Sequence, residues 1–183
     1  MVLYSDVDIL VCEVGLRDGL QSVNGIMPTR IKKEWIEAQV KAGCREMEVC
    51  SFVPPKIIKG MTDAKEIVEY ASGYKNLTVA ALAPNLQGAL DAAKAGVDKI
   101  SFPVSVSEAH SQLNVKKSRF EMIEEVRKFC QFRDQLVDYK SLIIEVGLST
   151  SFGCSIQGRI HDRDTIEVAV ACLEAGVDEL VLS

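Results

Sequence analysis

Apolar residues along this chain gather into short, nearly continuous runs. Longer stretches separate them, in which apolar positions recur every three to four residues. LTVAAL (77–82) and LIIEVGL (142–148) are such runs, the pattern of parallel strands covered by helices on at least one face. Strands are predicted over 8–14, 45–51, 77–82, 97–102, 141–147 and 178–183. The helical period predicts helices over 29–42, 62–72, 85–95, 118–136 and 162–175. In the first of these, Thr29 is the expected N-cap, and Ile31, Trp35, Ala38 and Ala42 fall on one face.

An imperfect repeat gives the order of assembly. KAGCREMEV (41–49), KAGVDKISF (94–102) and EAGVDELVL (174–182) each end a helix on Ala-Gly, pass through a few polar residues and enter a strand. Glycine after the last helical residue adopts the left-handed conformation that a side chain disfavours. Strand and helix alternating in this way make a parallel α/β fold, either a doubly wound sheet or a (β/α)8 TIM barrel. No G-x-G-x-x-G follows the first strand, which weakens the dinucleotide-binding form of the open sheet. Polar residues collect instead where several strands end: Arg17-Asp18, Glu48 to Ser51, Pro84-Asn85, Ser105 to Ser107 and Ser149 to Cys154. That distribution favours the barrel. A barrel takes eight strands and about 250 residues. The expectation is therefore an incomplete (β/α)8 barrel of about six strands and five helices, with strands 7 and 8 absent and residues 1–183 forming one domain, the N-terminal part of a longer barrel.

With 48% hydrophobic and 26% charged residues the chain can bury a substantial core. Its net charge of -5 argues against nucleic acid or a membrane surface as partner. No apolar stretch approaches the ~18 residues of a membrane span, and the opening MVLYSDVDIL lacks the basic and apolar regions of a secretory signal. Six cysteines without a CxxC pair read as reduced thiols, and neither His110 nor His161 stands at zinc-ligand spacing from a cysteine pair. A cytoplasmic protein is expected, or a mitochondrial-matrix one in a eukaryote.

The candidate chemistry starts at EVGLRDGLQ (13–21), where Arg17 and Asp18 follow an apolar run directly. EVGLRDGLQS, MEVCSFVPPKIIKGM, ALAPNLQGALDAAKAGV, SVSEAHSQLNVKKS and STSFGCSIQGRI occur in this order and spacing. Together they resemble the 3-hydroxy-3-methylglutaryl-CoA lyase family of the metal-dependent TIM-barrel lyase/aldolase superfamily. Leu20-Gln21 after the R-D-G string is similar to the lyase branch more than to the condensing enzymes.

The resemblance implies a metal-assisted retro-Claisen cleavage of an acyl-CoA, with Mg2+ or Mn2+ as cofactor and a homo-oligomer, a dimer, in the complete enzyme. It makes Arg17 and Glu48 the catalytic candidates, Arg17, Gln21 and Ser51 substrate contacts, and Asp18 a metal ligand. An arginine beside a developing oxyanion stabilises it by about 3–4 kcal/mol, and a carboxylate is the hard donor these cations prefer. Lys56 is a candidate for CoA phosphate contact, whereas Asn85 is expected to cap a helix. Cys154 is expected near the site without a nucleophilic role, and His110, in a loop facing the CoA moiety, and His161 are expected not to be metal ligands. The chain departs from the family at Leu16, where proline is usual, and in GCSIQG, which loses a glutamate; these changes bear on the acyl group rather than on the reaction type. The family's H-x-H on strand 7 and its late cysteine loop have no counterpart here, which implies that the 183-residue chain is inactive alone. The alternatives are a 2-oxo acid aldolase or condensing enzyme of the same superfamily, and a non-catalytic fragment that binds a partner through its sheet edge.

Overall fold

The computed structural model describes residues 8–183. Six parallel strands lie side by side in chain order: β1 (Cys12–Glu13), β2 (Glu46–Ser51), β3 (Thr78–Leu82), β4 (Lys99–Ser105), β5 (Ile143–Ser149) and β6 (Glu179–Leu182). Strand order that never reverses is the succession of a (β/α)8 barrel and not of a doubly wound sheet. The fold is an incomplete TIM barrel. Its helices are α1 (Thr29–Lys41), α2 (Ala64–Ala71), α3 (Leu86–Ala95), α4 (Glu108–Val115), α5 (Arg119–Gln135) and α6 (Asp162–Glu174). α4 was not expected from the apolar period, because only Ser111 of its eight residues is fully buried.

The core lies between the sheet and the helices. On β4 and β5 the buried residues Ile100, Phe102, Val104, Ile144, Val146 and Leu148 alternate with more accessible ones. Phe102 meets Phe129 of α5 at 5.7 Å between ring centroids, and Phe129 stacks on Phe132 at 5.9 Å. Each such side chain contributes roughly 1.5–3 kcal/mol by burial. Gly43, Gly96 and Gly176, the glycines of the repeat, have φ of 93°, 92° and 100°, so the repeat's Ala-Gly does end its helices in the left-handed region.

Two local expectations fail, each for a tertiary reason. β1 is far shorter than 8–14: Cys12 and Glu13 alone pair with Glu46 and Met47. The chain then leaves the strand in a five-residue π-helical turn, Gly15–Gly19. A Cβ at Gly15 would stand 2.5 Å from Glu13 Oε1 and 2.9 Å from the Trp35 ring, so only glycine allows the turn here. In α1 the N-cap is Pro28, and the Thr29 hydroxyl donates to Asp63 Oδ2 at 2.8 Å. Its buried face is Lys32 and Ile36 rather than the face of Ala38, which is exposed. The Lys32 ammonium donates to Asp63 Oδ1 (2.6 Å) and to the Gly60 carbonyl (2.5 Å). A lysine with its charge paired can bury its aliphatic stem, which the period of apolar residues does not register.

Asn85 caps α3 as expected, its Oδ1 accepting from Gly88 N at 2.9 Å. At Gly88 the helix touches the chain following β2: a Cβ there would lie 2.6 Å from the Phe52 carbonyl oxygen. Gly88→Ala should lower stability by about 1–3 kcal/mol, as overpacking does, although alanine is the better helix former. Urea unfolding of the two proteins measures the difference, and a variant as stable as the parent would show that α3 can move.

Candidate active site

A cavity of about 960 Å3 opens at the carboxyl ends of the strands. Its wall takes Arg17, Asp18 and Gln21 from the segment after β1, Glu48 from β2, Asn85 after β3, His110 from α4 and Ser149 from the end of β5. Five loops and strand ends therefore converge on one space, as barrel enzymes require.

The π-helical turn sorts the charged pair. Leu16 is fully buried and anchors the turn, so its neighbours face the cavity mouth. Arg17 bends inward, its side chain 18% exposed, and its Nε donates to Glu48 Oε2, while Nη1 donates to Asp18 Oδ1 at 2.9 Å. The Asp18 side chain stays 64% exposed at the rim. A guanidinium held between two carboxylates keeps its orientation with little loss of freedom on binding.

Burial pushes the Glu48 carboxyl up to about 7, although the charge and hydrogen bond of Arg17 pull it back. The raised value means that the folded chain holds this proton over a range where the unfolded chain has released it. Stability contributed by protonated Glu48 is thus fully present below its ordinary value of 4.5 and is lost as pH rises toward 7. Glu48→Gln should remove this part of the pH dependence, about 3 kcal/mol at most. Urea unfolding at a series of pH values measures it, and identical slopes for parent and variant would contradict it.

Five buried side-chain atoms among the described residues have no hydrogen-bond partner: Gln21 Oε1, Trp35 Nε1, Glu48 Oε1, Ser51 Oγ and Ser111 Oγ. An unpaired buried polar atom costs about 1–3 kcal/mol, and two of the five, Gln21 Oε1 and Glu48 Oε1, belong to cavity-wall residues, where a bound molecule can pair with them. Ser51 is fully buried and is not part of the wall. Lys56 and His161 are exposed and also lie outside it. Cys154 is buried in the loop after β5, where its backbone pairs with Gly158. The Ser107 hydroxyl and the Gln157 amide hold its thiol below the ordinary value. All six cysteines are free thiols.

Deeper in the cavity lies a polar layer that the sequence reading missed. Lys99 of β4, 4% exposed, has its ammonium 2.9 Å from Glu46 Oε2 of β2, 2.7 Å from Glu179 Oε2 of β6 and 3.6 Å from Glu145 Oε2 of β5. Ser101 donates to Glu145 Oε1 at 2.9 Å. The available signal was a charge embedded in an apolar run, in KISF and IIEVG. His110, expected in a loop facing the CoA moiety, does line the cavity, but on α4, a helix with too little buried apolar surface to show in the sequence.

Among the described residues no group of three His, Cys, Asp or Glu side chains is placed to hold a metal ion. Asp18 offers one carboxylate, already shared with Arg17, and one carboxylate leaves most of an octahedral shell to other donors. These residues by themselves do not fit a divalent cation. Nor, among them, is any helix long and apolar enough to cross a membrane.

Parallel strands in barrel order, with an arginine paired to two acidic side chains at the carboxyl-end mouth, define a protein of the TIM-barrel class with its polar residues gathered where barrel enzymes place their sites. The chain belongs to the HMGL-like family, whose model matches residues 8–183. The structure of a hydroxymethylglutaryl-CoA lyase from Bacillus subtilis superposes with a TM-score of 0.87 at 31% identity, covering 95% of this chain and 57% of that one. A lyase from Acinetobacter baumannii, solved in complex with coenzyme A and 3-methylmalate, gives a TM-score of 0.84 at 28% identity and covers 100% of this chain and 58% of that one. The mitochondrial hydroxymethylglutaryl-CoA lyase of Mus musculus is 29% identical over 172 residues, 94% of this chain and 52% of its own length. The chain thus spans little more than half the length of the relatives it matches.

Proposed function

We propose that this chain carries one half of the active site of a carbon–carbon lyase that cleaves 3-hydroxy-3-methylglutaryl-CoA, or a close 3-hydroxyacyl-CoA, to acetyl-CoA and acetoacetate. The observation that carries the reading is the Arg17 guanidinium, held by buried Glu48 in the wall of a cavity with unpaired acceptors. As the tertiary hydroxyl loses its proton and the C–C bond breaks, negative charge develops first on that oxygen and then on the thioester oxygen. Arg17 is the donor that meets this charge, and Glu48 fixes its direction. The unpaired Gln21 oxygen is suited to accept a hydrogen bond from a substrate hydroxyl. Asp18 at the rim would be one oxygen donor toward Mg2+ or Mn2+, a cation that would polarise the substrate oxygens but that these residues do not hold by themselves. Relatives named hydroxymethylglutaryl-CoA lyase, and the A. baumannii structure with coenzyme A, support this reading over a 2-oxo acid aldolase.

The test is acetoacetate release from 3-hydroxy-3-methylglutaryl-CoA with Mg2+ or Mn2+. It is run on the 183-residue chain and on the same chain joined to the part of the B. subtilis lyase that lies beyond the matched region. Release by the joined protein, and none by the chain alone, is the expected result. Turnover of 2-oxo acids without any release of acetoacetate would overturn the substrate assignment.

A further inference from the structure

The polar layer around Lys99 has no part in the cleavage described above, yet it stands in line with the residue that holds Arg17. The strand register sets Glu48 of β2 beside Ala80 of β3, and Ala80 beside Lys99 of β4. Glu48 and Lys99 thus occupy one row, two strands or roughly 10 Å apart. The alanine between them lines the same cavity with only a methyl group. Glu46 lies two residues before Glu48, on the same face of its strand, and its carboxylate accepts from the Lys99 ammonium at 2.9 Å. Glu179 of β6 accepts from that ammonium at 2.7 Å. Glu145 of β5, bound by the Ser101 hydroxyl at 2.9 Å, approaches it to 3.6 Å. Three acids therefore surround one cation next to Glu48, whose Oε2 is the acceptor for Arg17 Nε. The other titratable groups that act on Glu48 or feel its charge are Arg17 and Asp18, in the turn after β1, and the Cys12 thiol of β1. Arg17 and Lys99 are the two cations of this set.

We propose that Lys99 is a positioning residue for the Arg17–Glu48 pair: its ammonium absorbs the charge of the acid layer, so that Glu48 stays a carboxylate and keeps Arg17 aimed at the substrate oxygen. This rests on the lyase reading given above. An ionised Glu48 holds the guanidinium as a charge-assisted pair, and a protonated one loses that attraction. Like charges nearby favour the protonated form. Burial already pushes this carboxyl up to about 7, and the charges of Glu145 and Asp18 push the same way, against Arg17. Ser101 and Lys99 turn the Glu145 carboxylate toward β4. Without the ammonium, its full charge and that of Glu46 would act on Glu48 across the cavity floor. Lys99 touches no reacting atom; it acts through the charge on Glu48.

The test follows the Glu48 carboxyl directly, by ¹³C NMR titration of the labelled 183-residue chain, and its consequence in the joined protein. Lys99→Met should move the Glu48 titration up by about one pH unit, and Glu145→Gln should move it down. Lys99→Arg, which keeps the cation, should leave it near that of the parent. In the joined protein, the acid limb of kcat/KM for acetoacetate release reports the essential groups of the free enzyme and should move in the same order. Lys99→Met should therefore lose about fivefold at pH 7 and return to within about threefold of the parent at pH 9, whereas Glu145→Gln should gain about fivefold at pH 6. A merely structural role would lower the rate of both variants at every pH. Glu48 titrations that stay in place, or that move the same way in Lys99→Met and Glu145→Gln, would overturn the proposal. Where Lys99→Met does not fold, Glu145→Gln decides, and a titration unmoved or raised in that variant overturns it. If the joined protein releases no acetoacetate, the lyase reading fails by itself, and the titration in the 183-residue chain still decides whether the Lys99 layer governs the charge on Glu48.

Discussion

Arg17→Gln in the joined protein is expected to lower kcat for 3-hydroxy-3-methylglutaryl-CoA by about 10²–10³-fold, the loss of one preorganised donor to a developing oxyanion. KM should change much less, because the interaction grows as charge appears on the substrate oxygen. The variant leaves Glu48 buried without its cation, and Arg17's charge is what now opposes the upward push of burial. Its carboxyl should therefore keep its proton to higher pH, visible by ¹³C NMR of labelled glutamate. Arg17→Lys should not restore the rate, since a point charge cannot face Glu48 and Asp18 together as the fork does. Steady-state rates of acetoacetate release check all of this. A variant within about threefold of the parent would remove Arg17 from the chemistry and leave it a structural ion pair.

The largest effect on stability is expected at Lys99. Burial works against its charge, but hydrogen bonds to Glu179 and Glu46 more than offset this and raise its pKa. Replacing it with methionine leaves the Glu46 side chain, 6% exposed, and that of Glu145, 16% exposed, in the interior with no ammonium between them. Breaking a buried pair from one side costs about 3–5 kcal/mol, enough to lower the urea midpoint by more than about 1 M. The penalty should shrink as pH falls and the stranded carboxylates take up protons. Adding Glu46→Gln to Lys99→Met should return part of the loss. A single variant as stable as the parent would mean that the interior is wet enough to solvate the three acids. The cluster joins β2, β4, β5 and β6 across the concave face, so its loss should also loosen the curl of the sheet.

Neighbouring residues governed what the sequence disclosed. Apolar runs and the Ala-Gly repeat marked five of the six strands and five helices, because each signal is carried within a dozen residues. The cap at Asn85 was legible for the same reason: a side chain satisfies an amide three residues on. β1 was overdrawn, since nothing local records that Gly15 must admit the Trp35 ring. The face of α1 was misjudged because Lys32 is buried by a carboxylate thirty-one residues away. In the candidate site, the order of motifs singled out Arg17, Asp18, Gln21 and Glu48, all of which reach one cavity. Ser51 does not reach its wall, and His110 does.

By itself the sequence determined the parallel α/β alternation, the barrel order and a charged pair at the end of the first strand. These follow from periodicity and from backbone preferences that act over a few residues. Only the tertiary structure decided that Arg17 turns inward to Glu48 while Asp18 stays at the rim, that Lys99 gathers acids from three other strands, and that Ser105 holds the His110 ring at the cavity wall. Each of these depends on the energy of bringing a charge or a ring nitrogen out of water, which is set by partners five to eighty residues distant along the chain. Such pairings become fixed only when the strands stand side by side.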